Sequence, residues 1–153
     1  MLNFEDELRR VIEALEAGGI PYAIAGGVAV SIYTTPRATE DIDLLISATD
    51  VDRALGTLQP LGFHRGGPPM SVAQGKLRIQ RLTKIVGSDL LPVDLLLADS
   101  PQLEEVLSAR QQLAWGAKRL WIVSIGGLHT LKRLRASPQD LADLEALGPE
   151  GQT

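Results

Sequence analysis

The residues best suited to chemistry are Asp41 and Asp43, which flank a single isoleucine. The apolar run that follows, Leu44 to Ile46, is typical of a buried strand. Because side chains at i and i+2 lie on the same face of a strand, the two carboxylates project into one space. Like charges at that separation are costly unless a cation neutralises them. The chain contains no cysteine, and carboxylate ligands favour Mg²⁺ or Mn²⁺.

Asp94 is the predicted third ligand of this metal. It is the one charged residue in the apolar run 92–97, where a buried carboxylate without a partner is costly. A neighbouring strand would bring it beside Asp43. Three carboxylates around a divalent metal suit in-line phosphoryl transfer, because metal ions lower the pKa of an attacking hydroxyl and offset the charge of a triphosphate and of leaving pyrophosphate.

A glycine pair, Gly26 and Gly27, is the predicted phosphate contact. It lies between a short apolar run, 22–25, and a helix predicted over 28–33. Glycine lets the backbone approach phosphate oxygens closely, and the helix would direct free N–H groups at the same anion. Arg37, in the loop before the aspartates, either contacts phosphate or pairs with Glu40 or Asp41.

The elements that would position these residues alternate between helices and strands. Apolar periodicity, capping residues and Gly/Pro breaks predict helices over 4–17, 28–33, 49–58, from 101 onward, 127–136 and 137–147. They predict strands over 22–25, 41–46, 63–65, 76–82, 93–97 and 121–125. We therefore expect an α/β (α+β) fold in which helices flank a small mixed sheet and a C-terminal helical segment closes the cleft. Residues 1–147 would form one domain, and 148–153 a flexible tail.

Composition narrows the function classes. With 153 residues, of which 44% are apolar, the chain can fill one core. It has no apolar stretch of about 18 residues and no cysteine, so we expect a cytoplasmic protein without a membrane span. The net charge is −4, yet 53–88 and 106–139 contain basic residues and no acids. These stretches are either surfaces for polyphosphate or nucleic acid, or ordinary solvated faces.

Taken together, these motifs resemble a known family. Ala25-Gly26-Gly27, followed after 13 residues by Asp41-Ile42-Asp43, resembles the Gly-Gly/Ser…Asp-x-Asp signature of the DNA polymerase β-like nucleotidyltransferase superfamily. Val93-Asp94-Leu95-Leu96 is similar to its third carboxylate strand. Residues 26–45 resemble a minimal bacterial branch that includes AbiEii-type toxins, and lincosamide and aminoglycoside nucleotidyltransferases share a similar stretch. The resemblance covers roughly residues 22–147.

The resemblance implies an enzyme that moves a nucleoside monophosphate from an NTP to an acceptor hydroxyl. Asp41, Asp43 and Asp94 would be the catalytic and metal-binding residues, and Lys132 would steady the triphosphate. Resemblance to the toxin branch implies an RNA acceptor, with a tRNA end as the leading candidate, and a cognate toxin or antitoxin protein as partner.

One segment departs from the family pattern. Relatives commonly have Arg and Lys flanking a proline where this chain has Ser137 and Gln139. Two alternatives therefore stand beside the enzyme: a catalytically silent binding module, acting as an antitoxin or assembly partner, and a nucleotidyltransferase for a small molecule such as an antibiotic. Asp140 and Asp143 nearby are either family site residues or structural acids of a helix that Ser137 begins.

Overall fold

The computed structural model describes residues 2–34 and 41–148. Arg37 and most of the loop before the aspartates therefore lie outside the described residues. The strands are β1 (Tyr22–Ala25), β2 (Ile42–Ser47), β3 (His64–Arg65), β4 (Met70–Val72), β5 (Leu77–Val86), β6 (Asp89–Ala98), β7 (Gln111–Trp115) and β8 (Lys118–Ile122). The helices are α1 (Phe4–Ala17), α2 (Gly26–Tyr33), α3 (Val51–Leu58), α4 (Pro101–Ser108), α5 (Ile125–Arg135) and α6 (Pro138–Leu147).

The eight strands of the described residues form one mixed sheet, in the order β3-β5-β6-β2-β1-β8-β7, with β4 also paired to β5. The two central strands, β2 and β6, run parallel, and β1 runs parallel to β8. Every apolar residue of β2 is fully buried, as expected where helices cover a sheet. The predicted α/β fold with a small mixed sheet is confirmed.

Local capping chemistry explains where several helices begin. The Asn3 side chain accepts a hydrogen bond from the Asp6 N–H at the start of α1, and Ser100 does the same for the Leu103 N–H at α4. At α6, Ser137 and Asp140 form a reciprocal capping box. These side chains satisfy backbone donors that the first helical turn leaves unpaired.

Several predicted boundaries were wrong. The strands predicted over 76–82 and 93–97 are longer, β5 and β6, because they pair with each other up to the turn at 87–88. The helix predicted over 28–33 already begins at Gly26. The last strand was predicted over 121–125, whereas β8 ends at Ile122, because Ser124 caps the Gly127 N–H and Ile125 begins α5. The helix predicted from 49 begins with a 3₁₀ turn over 48–50, in which Thr49 Oγ1 lies 3.0 Å from Ser47 Oγ. Two strands, β4 and β7, were not predicted from the sequence. Both are short and largely exposed, so their apolar pattern is weak.

In the part of the chain that the structure describes, no helix is both long and apolar enough to cross a membrane.

Candidate functional site

Three carboxylates meet at the start of β2, beside the middle of β6. Asp43 of β2 and Asp94 of β6 are paired residues in the parallel register, and Asp41 lies one residue before β2. One oxygen from each of the three carboxylates lies within 4.8 Å of the other two. Asp43 and Asp94 are buried, with 6% and 7% of their surface exposed, while Asp41 is half-buried. Residues 53 positions apart in the chain are thus neighbours.

The cluster is electrostatically unfavourable without a cation. Burial, together with the charges of Asp41 and Asp94, raises the pKa of Asp43 to about 7, against an opposing influence from Arg135 and Lys132. A divalent cation bound to these oxygens would remove the repulsion. An all-carboxylate donor set also matches what Mg²⁺ and Mn²⁺ prefer, so the residues present fit such an ion.

Gly26 supports the cluster from the neighbouring strand. Ala25, the last residue of β1, is paired with Asp43, and Gly26 then turns the chain into α2 with a φ of +61°. A β-carbon at this position would lie 1.8 Å from Asp43 Oδ2. Glycine is therefore required here both by its backbone conformation and by the close approach of a carboxylate. Gly27 follows as the second residue of α2 and is half-buried.

Arg81 is a site residue that the sequence analysis did not single out. It faces Asp94 across the β5–β6 hairpin, and its Nε and Nη2 donate to Asp94 Oδ1 and Oδ2 at 2.7 and 2.9 Å. These bonds, and the charges of Asp94, Asp41 and Asp43, raise the pKa of Arg81. The sequence does contain a signal for this contact. If residues 87 and 88 form a two-residue hairpin turn, residue 86 pairs with residue 89, and counting outward from there pairs residue 81 with residue 94.

Lys132 is buried and held by α6. Its Nζ lies 3.3 Å from Asp140 Oδ1 and 3.0 Å from Asp143 Oδ2. Gln139 also donates to Asp143, at 2.8 Å. The structure therefore shows structural contacts for both acids, which join α6 to α5. The predicted contact of Lys132 with a triphosphate stays a prediction.

The predicted basic stretches are extensively paired with acids from elsewhere in the fold. Arg78 bonds Asp99 at 2.8 Å, and Lys84 bonds the buried Glu7 at 3.0 Å. Lys118 pairs with Glu13. Acids that are distant in sequence thus offset the positive charge of these stretches in the folded protein. This favours ordinary solvated faces over a continuous basic surface.

A cavity of about 770 Å³ opens beside the carboxylates. Asp41 and Arg81 form the part of its lining that belongs to the cluster. The remaining wall comes from the N-terminal end of α1 and the residue two before it, from the β5–β6 turn and from the first residues of β6. It consists of Leu2, Phe4, Ser88, Asp89, Leu90, Leu91 and Pro92. Its volume lies in the range of small-molecule sites, roughly 300–1,000 Å³.

No protein-family model and no curated protein matches the chain, but solved structures do. The lincosamide antibiotic adenylyltransferase LnuA, with lincomycin bound, matches with a TM-score of 0.58 and 13% identity over 94% of this chain and 98% of its own. The antibiotic-resistance factor ANT(2'')-Ia matches with a TM-score of 0.62 and 13% identity over 93% of this chain and 80% of its own.

A candidate nucleotidyltransferase from Thermotoga maritima matches with a TM-score of 0.64 and 9% identity, over 92% of this chain and 88% of its own. At such identities the likeness is one of fold. The chain therefore has the fold of nucleotidyltransferases, in agreement with its mixed sheet and flanking helices.

Proposed function

We propose that this protein is a metal-dependent nucleotidyltransferase that transfers a nucleoside monophosphate from an NTP to an acceptor hydroxyl. The observation that carries the proposal is the meeting of Asp41, Asp43 and Asp94 beside the turn at Gly26, within a nucleotidyltransferase fold. Each part alone is common. Together they would provide anionic ligands for a cation, next to a turn at which the positive φ and the close contact with Asp43 require glycine.

In the proposed reaction the acceptor hydroxyl loses its proton, and its oxygen forms a bond to the α-phosphorus of the NTP. The bond between that phosphorus and the bridging oxygen to the β-phosphate breaks, and pyrophosphate leaves. Asp41, Asp43 and Asp94 would hold Mg²⁺ or Mn²⁺, which supplies charge neutralisation and lowers the pKa of the attacking hydroxyl. Asp94 would face the acceptor, and Gly26 and Gly27 would contact phosphate. Arg37 and Lys132 remain proposed phosphate contacts.

Two acceptor classes stand within this proposal. The resemblance to AbiEii-type toxins favours an RNA or tRNA end, and with it a toxin–antitoxin partner; this step rests on analogy of fold and motif. The cavity beside Asp41, with its partly apolar wall, favours a small hydroxyl compound. The ion-paired state of Arg78, Lys84 and Lys118 weakens the argument for an RNA surface.

A catalytically silent binding module is the second candidate. It is favoured because Lys132 is occupied by two buried carboxylates, and Ser137 and Gln139 serve α6 as a cap and a hydrogen-bond donor. Such a module would act as an antitoxin or assembly partner through its surface.

The test is incubation with each α-labelled NTP and Mg²⁺ or Mn²⁺, with total RNA in one series and pooled hydroxyl-bearing small molecules in another. Asp41→Asn/Asp43→Asn is the control, because it removes both charges and keeps side-chain size. We expect label transfer and pyrophosphate release by the native chain only. Transfer that persists in the double variant would refute the assigned site, whereas absence of both transfer and NTP binding would support the silent module.

A further inference from the structure

The Arg81–Asp94 contact uses both oxygens of the one carboxylate. Arg81 donates to Oδ1 from Nε and to Oδ2 from Nη2, which is the parallel two-bond geometry of the strongest arginine–carboxylate pairs. Asp94 also belongs to the cluster that fits a metal. Arg81 and a metal ion bound from solution would therefore compete for the same two oxygens of Asp94.

The two partners differ in their freedom to move. The Asp94 side chain is 9% exposed and lies on the central strand β6, whereas the Arg81 side chain is 49% exposed and lies on β5 at the edge of the cavity. A long, half-exposed side chain has other rotamers available in which water can solvate its charge, and the cavity offers it space. If one partner leaves, it is therefore Arg81.

The positive charge of Arg81 acts on all three carboxylates of the cluster, as a bound metal ion would. The Arg81 guanidinium interacts with Asp41 and Asp43 as well as with Asp94. Lys132 also acts on Asp43, but two further acids already hold it. Withdrawal of the Arg81 charge thus makes the cluster more negative and more attractive to a divalent cation.

We propose that Arg81 is a built-in competitor for the metal at Asp94, holding this carboxylate in the metal-free protein and releasing it when the metal binds. Arg81 would then act on the metal through its bonds to Asp94. The inference rests on the proposed function, because it requires the carboxylate cluster to bind metal. The proposal predicts the direction of the change in metal affinity: replacing Arg81 with an uncharged residue strengthens metal binding. An arginine that merely orients Asp94 predicts the opposite, since its loss would leave the ligand misplaced.

The test is Mn²⁺ binding at pH 8 and constant ionic strength, followed by electron paramagnetic resonance of the free ion and by calorimetry. Arg81→Met keeps the apolar stem and removes the charge. We expect it to bind Mn²⁺ roughly tenfold more tightly than the native chain, within the 5–150-fold range of ordinary coupling between sites. Arg81→Lys, which keeps a charge but loses the two-bond geometry, should lie between them.

Arg78→Met is the matched control. Arg78 lies on the same strand and bonds an aspartate at 2.8 Å, but its partner Asp99 is outside the cluster. Its Mn²⁺ affinity should equal that of the native chain. Circular dichroism establishes that each variant is folded, and if Arg81→Met is not, the comparison is made with Arg81→Lys.

The outcomes separate the two proposals. Tighter binding by the Arg81 variants, with Arg78→Met unchanged, supports the competitor. Equal or weaker binding by the Arg81 variants, in a protein whose binding is abolished by Asp41→Asn/Asp43→Asn, overturns the competitor and leaves the metal site intact. Failure of the native chain and of every variant to bind Mn²⁺ overturns both.

Discussion

Replacing Gly26 with alanine tests the closest contact in the site. The new β-carbon would lie 1.8 Å from Asp43 Oδ2 and 2.6 Å from Asp43 Cγ, so either the carboxylate or the backbone must shift. A left-handed conformation costs a non-glycine residue about 1–2 kcal/mol, and overpacking costs about 1–3 kcal/mol more. We therefore expect Gly26→Ala to lower the free energy of unfolding by about 2–5 kcal/mol, and to weaken Mn²⁺ binding because Asp43 is displaced.

The measurement is urea unfolding in EDTA, followed by circular dichroism, with Mn²⁺ binding measured separately. Gly56→Ala is the matched control, since Gly56 lies within α3 and a β-carbon there meets nothing within 4 Å. Alanine in a helix interior is favoured over glycine by about 0.5–1 kcal/mol, so this variant should be slightly stabilised.

A double-mutant cycle separates the two parts of the cost. Asp43→Gly removes the atoms that the new methyl group would meet, so in that background Gly26→Ala should cost only the conformational part, about 1–2 kcal/mol. The reasoning is refuted if Gly26→Ala costs less than about 1 kcal/mol in the native background, or if its cost is the same with and without the Asp43 side chain.

Two further predictions concern buried charge. Asp43 has a pKa of about 7 in the folded protein against an ordinary value of 3.8, so between these values the native state keeps a proton that the unfolded chain has released. The metal-free protein should therefore lose stability as pH rises from about 4 to 7, and Asp43→Asn should reduce this slope; urea midpoints at pH 5 and 8 measure it, and equal slopes in both proteins would contradict it. Lys132→Met leaves Asp140 and Asp143 without their buried partner and should cost about 3–5 kcal/mol in the same assay. The exposed pair of Lys118 provides the control, because Lys118→Met should destabilise the protein far less than Lys132→Met does; comparable losses in the two variants would show that Lys132 does not stabilise the contact between α5 and α6.

Much of the fold could be predicted because its signals are local. The run 22–25 between a proline and two glycines was predicted as a strand with the bounds that β1 has. Ser100-Pro101 and Ser137-Pro138 predicted where α4 and α6 begin, since a cap and a proline act within one turn. The missed strands, β4 and β7, take their structure from pairing with β5 and β8, and such pairing leaves only a weak trace in a short exposed segment.

In the candidate site, too, contacts between near neighbours in sequence could be predicted, whereas contacts between distant residues could not. The sequence by itself determined that Asp41 and Asp43 share a face and that a glycine precedes a helix beside them, because strand alternation and glycine's freedom act between near neighbours. Only the tertiary structure decided that β6 lies parallel to β2 in the register that joins Asp43 to Asp94, that Arg81 holds Asp94, and that Lys132 faces two acids of α6. The physical reason is that charge pairing depends on distance in space, which strand register and helix packing set between residues far apart in the chain.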